Sequence, residues 1–309
     1  MPSKEPPFWI GDREFCSRDL DLIVSTVHRF RSLSCTELAA TICENLPWKA
    51  PNGRLKIHSC LLLLDQLQAG GLLTLPGKRA WTVGAQAERV GEAPPRVEVR
   101  VRLQEILPVR VELVRPEGQA AWTAMMATEH PLGYRRAFGA HQRYWVWGQV
   151  RGAAQILGGL LFAAAAKALA ARDEWIGWTA EVRQRNLYRV VANSRYLLRP
   201  GVQVPHLASH VLGLALRRLG ADWRIRYGFT PVLAETFIEA PWAGTCYRAA
   251  NWVYVGETAG RGRQDRHTRR AETVKQIWIY PLASDCRQQL LAPAPRARAG
   301  VMADGGLDT

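Results

Sequence analysis

Two carboxylates, Asp173 and Glu235, stand in short polar and aromatic stretches, Arg172-Asp-Glu-Trp-Ile-Gly-Trp178 and Glu235-Thr-Phe237, each read as lying at a strand end. Paired carboxylates can hold Mg2+ and activate water for phosphoryl transfer. These two are therefore the candidate catalytic and metal-ligating pair, with His130, Arg172 and Arg195 as neighbours. Tyr247, followed by Arg248, carries a hydroxyl able to attack a phosphodiester covalently. The plainer reading is that a carboxylate among arginines anchors ion pairs more often than it catalyses. No P-loop, nucleophile elbow, HExxH motif or zinc-deaminase spacing occurs in the chain.

Charge points to the partner of this chemistry. The 309 residues carry 41 Lys and Arg against 27 Asp and Glu, a net of +14, and such an excess concentrates polyanions. The excess is uneven. Residues 1–90 hold eleven basic and nine acidic side chains, whereas Pro131–Arg172 holds six basic residues and no acid. Val182–Thr230 sets nine arginines against Asp222 alone, and Gly260–Arg270 sets five against one acid. Arginine forks onto phosphate with two parallel hydrogen bonds. Arg143, Arg172, Arg195, Arg261 and Arg263 are thus expected to meet DNA.

Small polar residues near glycines, Thr245 and Asn251, would let backbone come close to the same ligand. Ser209 and His206, in Val204-Pro-His-Leu-Ala-Ser-His210, stand at a helix start, where N–H groups attract anions, and could hold a phosphate of DNA; equally, Pro205 and Ser209 simply begin that helix. Rings interleave with charge at Arg143-Tyr-Trp145, Trp147, Trp175 and Trp178, a pattern suited to stacking on unpaired bases, although core packing explains most of them.

These residues must be held by elements readable from periodicity. Asp19–Phe30 and a segment opened by the capping box Ser34-Cys-Thr-Glu37 are amphipathic helices. A third helix carries Ile57, Cys60, Leu61, Leu64 and Leu67 and stops at Gly70-Gly71, and Leu72–Val83 reads as a hairpin. Three helices and a basic hairpin make a winged-helix arrangement over residues 1–83. Arg54 and Lys56 would then enter the major groove, and Lys78 and Arg79 on the wing would touch phosphate. A helical module that only packs on the body or on a protein partner is the alternative.

Residues 84–95, rich in Gly, Ala, Glu and Pro, read as a linker. Residues 96–285 alternate strand and helix, an α/β body: strands at Val97–Leu103, Val109–Val114, Gln142–Gln149, Gly158–Ala164, Tyr196–Leu198, Pro231–Ile238, Trp252–Glu257 and Gln276–Pro281, with helices at Gln119–Glu129, Trp178–Ala192, Leu207–Leu219 and Cys246–Ala250. Residues 286–309 are expected to be a disordered tail. Six cysteines without metal-like spacing suit a reducing compartment, and no apolar stretch is long enough to span a bilayer. The expectation is a cytoplasmic protein with no membrane partner, and self-association into a homo-oligomer stays open.

From Val109 to Gly256 the order of elements resembles the GNAT acyltransferase fold, a mixed sheet flanked by helices. Gly158-Gly-Leu-Leu-Phe162 corresponds to its third strand, Val204–Leu219 to its phosphate-cradling loop and helix, and Tyr247–Gly256 to its closing short helix and strands. More specifically, the chain is similar to the DruA family of the Druantia anti-phage systems, whose members also occur with transposases. The resemblance rests on His130-Pro-Leu-Gly133, Arg172–Trp178, Asn193-Ser-Arg195, Pro205-His-Leu-Ala-Ser209, Glu235-Thr-Phe237, Gly244–Trp252 and Gly256–Arg263. It implies a DNA-directed role beside a helicase or transposase partner.

A GNAT body implies acyl-CoA as cofactor, but the glycines that would admit its pyrophosphate are missing from Val204–His210 and Pro205 lacks an N–H. Three readings follow: a DNA-binding protein that cuts or joins strands, an acyltransferase directed to DNA, and a non-catalytic DNA-binding subunit for a helicase.

Overall fold

The computed structural model describes residues 8–10, 13–77, 91–134, 137, 139–258 and 273–293. The chain opens with a small antiparallel pair, β1 (Phe8–Ile10) and β2 (Arg13–Phe15), which the sequence reading did not include. Three helices follow as expected: α1 (Ser17–Arg29), α2 (Cys35–Asn45) and α3 (Ile57–Ala69). The capping box before α2 is formed in both directions: Glu37 N–H donates to Ser34 Oγ at 3.3 Å and Ser34 N–H donates to Glu37 Oε2 at 3.1 Å. Leu38, Ala39, Ile42, Cys43 and Leu46, the face predicted for α2, are all buried. Ile23, Val27, Cys60, Leu64 and Leu67 join them, with Phe15 from β2 closing the core against Trp48. Of the expected hairpin, residues 72–77 form no strand, and 78–83 lie outside the described residues.

The body is built on a seven-stranded mixed sheet of order β3-β4-β5-β6-β7-β9-β8. Its strands are β3 (Arg110–Leu113), β4 (His141–Val150), β5 (Ala153–Ala164), β6 (Val190–Leu198), β7 (Leu233–Glu239), β8 (Val253–Glu257) and β9 (Lys275–Pro281). β4 and β5 form the expected pair, turning at Arg151-Gly152, both with positive φ, as a two-residue hairpin loop requires. Only β6 and β7 run parallel, matched at three positions from Val190–Leu233 to Ala192–Glu235. A parallel pair needs a long crossover, and α7 (Leu207–Tyr227) supplies it, burying Leu207, Val211, Ala215, Leu219 and Trp223 against the sheet. α4 (Gln119–Glu129) lies over β4 and β5. Trp122 Nε1–H donates to Tyr144 O at 3.0 Å, and a side chain at Gly159 would strike that indole. The short helix α8 (Thr245–Ala249) precedes β8. This is the mixed sheet flanked by helices that was expected of the body.

Several expectations need correcting. Val97–Leu103 is not a strand: Val99 makes one isolated bridge to Val202, and residues 103–106 form a 3-10 turn. Helix over Trp178–Ala192 is confined to α6 (Ala180–Asn186), because Val190–Ala192 are drawn into β6. A helix, α5 (Ala170–Ile176), follows β5 in the chain and packs against β8 and β9. The expected tail begins instead with a helix, α9 (Cys286–Leu291), whose Cys286 and Leu290 are buried against Ile176 and Val232; residues 294–309 lie outside the described set.

Within the expected linker, the Pro94 and Pro95 carbonyls accept hydrogen bonds from Arg199, each at 2.7 Å, so this part is fastened to the body. The helical head is docked too. Phe30 packs edge-on against Tyr227 and Phe229, and the Arg29 guanidinium lies 3.5 Å over the Tyr188 ring. Among the described residues no helix is long and apolar enough to cross a membrane.

Candidate functional site

Asp173 and Glu235 are brought together, but by a guanidinium between them. Asp173 lies in α5 rather than at a strand end, and Glu235 lies within β7. Arg172 Nη1 donates to Glu235 Oε2 at 2.8 Å, and Arg172 Nη2 donates to Asp173 Oδ1 at 2.7 Å. The remaining oxygens are also taken: Ala166 N–H donates to Glu235 Oε1 at 2.7 Å, while Asp173 Oδ2 accepts from Arg183 at 2.8 Å and from Leu169 N–H at 3.1 Å. Trp178 Nε1–H completes Asp173 Oδ1. Burial pushes the Asp173 carboxyl up, but the Arg172 guanidinium outweighs it and holds the group below the usual range.

No cluster of three metal-ligating side chains exists among the described residues. The donor set does not fit Mg2+, because the cation it serves is Arg172. The pair is an internal anchor for the loop between β5 and α5. The expectation that Arg172 meets DNA is corrected on the same ground, since its side chain is wholly buried.

The other chemical candidates lie apart from this pair. His130 Nδ1 accepts from Leu132 N–H, and burial together with Arg195 lowers its pKa to about 4. Arg195 is half-buried and donates to the Gly133 and Ser194 carbonyls. Tyr247 is buried; its hydroxyl donates to Asn193 Oδ1 at 2.8 Å, and burial raises its pKa, so no exposed oxygen is available to attack a phosphodiester. Arg143 is buried as well, bonded to the Tyr134 hydroxyl and to Gln119, which removes it from a DNA surface. Tyr144, Trp145 and Trp178 are core residues, as their plainer reading had it, and Trp147 and Trp175 are partly buried.

The site that does gather polar groups is a cleft of about 660 Å3 beside the start of α7. One wall is a helical stripe, His206, Ser209, His210 and Arg217, with Gly213 between them; the other includes Asn251 from the turn after α8. None of the lining residues is acidic. His206 and Asn251 both hold left-handed backbone, at φ 64° and 63°. For non-glycine residues that conformation is strained, and such strain concentrates at functional sites. Ser209 Oγ donates to His206 O at 3.1 Å, tying the first turn. Arg217 is exposed and makes no ion pair among the described residues. Burial, then Arg217, holds His210 below the ordinary histidine value.

The first turn of so long a helix leaves N–H groups without intrahelical acceptors, a natural seat for an anion. For CoA the fit is poor. His206 stands where glycine would let a pyrophosphate approach the backbone, and Pro205 offers no N–H. No acyl-transfer step is derived.

Of the residues expected at a DNA surface, Ser209 and Asn251 line this cleft, and Thr245 is exposed at the start of α8 outside it. His206, expected with Ser209 to hold a phosphate, lines the cleft as well; sequence reasoning missed His210 and Arg217, although their spacing with Ser209 marks one polar helix face. Arg54 is exposed just before α3, and Lys56 caps that helix. Lys78, Arg79, Arg261 and Arg263 lie outside the described residues. Some of the arginines are engaged inside the protein rather than offered to a ligand. Arg199 is buried against Glu129, and Arg218 pairs with Asp222.

A family model described as Druantia protein DruA matches residues 95–269, more than half of the chain. A search of the curated proteins finds no match. Among solved structures, the spermidine N-acetyltransferase of Vibrio cholerae in complex with CoA and spermine is 11% identical, at a TM-score of 0.35, covering 60% of this chain and 98% of that one. The same enzyme as a dodecamer in an intermediate state matches at 11% and 0.30, covering 46% of this chain and 66% of that one. A domain from Methanocaldococcus jannaschii matches at 9% and 0.33, covering 56% and 97%. Likeness of this order carries nothing about activity, cofactor or assembly.

Proposed function

The chain belongs to the Druantia protein DruA family, and on that premise we propose that it is a DNA-binding subunit of an anti-phage defence system. The observation that carries this reading is the acid-free cleft in which His206 and Asn251, from separate elements, both adopt left-handed backbone. Arg217 would fork onto a phosphate, and Ser209 and the α7 N–H groups would complete its shell. The helical head, through Arg54 and Lys56 and a wing at Lys78 and Arg79, would choose the site; Arg261 and Arg263 would add phosphate contacts.

Of the readings open from sequence, the non-catalytic subunit is favoured over strand cutting or joining. Both candidate carboxylates are saturated by Arg172 and its neighbours. Strand processing then belongs to a partner, a helicase in the defence-system setting.

The test is titration of the full chain with fluorescent DNA across a salt series, followed by incubation of the complex with Mg2+ or Mn2+. Affinity should fall steeply with salt, and the DNA should stay uncut. A salt-independent interaction overturns the phosphate reading, and nicked or joined product restores catalysis. Acetyl-CoA binding by calorimetry would support the acyltransferase instead.

A further inference from the structure

A second cleft lies on the free edge of the sheet. It holds about 440 Å3 and is lined by Arg248, Trp252, Val253, Tyr254, Gln276 and Trp278. Among the described residues β8 is the outermost strand, with β9 as its one sheet neighbour. Edge strands are usually blunted by charge, yet Val253 and Tyr254 are here 45% and 47% exposed. The Tyr254 ring meets Trp278 at 5.7 Å and 61°, and the Arg248 guanidinium lies 5.7 Å from the Trp278 ring. Trp278 is itself braced, its Nε1–H donating to Gln276 Oε1 at 3.0 Å. Trp252 is 3% exposed, and its indole N–H is buried without a partner among the described residues. Buried donors are seldom left so. No acid lines the cleft, and Arg248 makes no ion pair among the described residues.

We propose that this aromatic cleft receives an unpaired nucleobase, so that the chain prefers single-stranded to duplex DNA. Tyr254 offers the exposed ring, with the buried Trp252 and Trp278 behind it; an aromatic ring with an adjacent arginine is the chemistry that binds bases without sequence preference, the ring stacking and the cation meeting the phosphate. Bases in a duplex are already stacked and paired and cannot enter.

The chain also connects this cleft to the basic one. Arg248 and Trp252 line the aromatic cleft, while the intervening Ala249, Ala250 and Asn251 line the basic cleft at the α7 start. The proposal rests on the reading that the chain binds DNA.

The test compares three probes on the full chain at one salt concentration: an oligothymidine, an abasic oligomer of equal length and charge, and a duplex. The oligothymidine should bind most tightly. Tyr254→Ala, at an exposed position, should weaken it by about tenfold and leave the abasic oligomer unchanged. Arg248→Ala should weaken both single strands. Equal affinity for oligothymidine and the abasic oligomer, or equal loss on both in Tyr254→Ala, overturns the base site while leaving phosphate binding intact. Binding of none of the three overturns the DNA reading itself. A change in oligomeric state in Tyr254→Ala without change in oligothymidine affinity assigns the edge to self-association and overturns the proposal.

Discussion

Arg172 and Glu235 meet at 2.8 Å with neither side chain exposed, although 63 residues separate them in the chain. Breaking one side of such a pair leaves a charge buried and uncompensated. Glu235 therefore holds β7 to the loop that follows β5, and its acidity serves Arg172 rather than a substrate.

Glu235→Ala should lower stability by about 3–5 kcal/mol in urea unfolding. Mg2+ should leave the Tm of the unmodified chain unchanged. A rise in Tm with Mg2+ that disappears in Glu235→Ala would return the pair to the role of metal ligands.

Arg217→Ala should weaken DNA binding to a similar degree for every sequence tried and reduce the slope of log K against log salt by about one. The fold should be unaffected, because Arg217 is exposed. Unchanged affinity at low salt would remove the cleft from the interface.

Replacement of Arg54 and Lys56 by Ala should act differently, relaxing preference among DNA sites more than it lowers overall affinity. Selection from a random-sequence pool reads this directly. Identical selected sites before and after substitution would assign the helical head to packing on the body, where Phe30 already lies against Tyr227.

Acid should destabilise the fold through His141. Its ring nitrogen bonds to Gly139 O at 2.8 Å, and burial lowers its pKa to about 4 against an ordinary 6.5. A depressed histidine is neutral when folded, so stability is complete above pH 6.5 and declines as pH falls toward 4, by about 3 kcal/mol. His130 adds to the same slope. Unfolding free energies measured from pH 7 to 4 should show the decline, and His141→Asn should flatten it.

Elements with strong local periodicity were legible in advance. Gln119–Glu129 is helical over the residues expected, the face of α2 is buried as read, and β7, β8 and β9 run where β-branched and aromatic residues cluster. Part of the cleft was legible too, in His206, Ser209 and Asn251. His210 and Arg217 were hidden because a histidine and an arginine on a helix look alike whether they face solvent or a site. The second cleft escaped because Trp252, Tyr254 and Trp278 read as ordinary strand aromatics, and the stacking reading had fallen on Tyr144 and Trp145, which the core absorbs.

The sequence by itself determined the mixed α/β body, the three-helix head and the sign of the charge, since these depend on side-chain period and composition within short windows. Which cations face outward was decided by tertiary structure alone. Arg172 meets Glu235, and Arg199 meets Glu129, 70 residues away, only in the folded chain. A guanidinium goes inside when carboxylates and carbonyls converge to replace its water, and that convergence is a property of distant segments brought together.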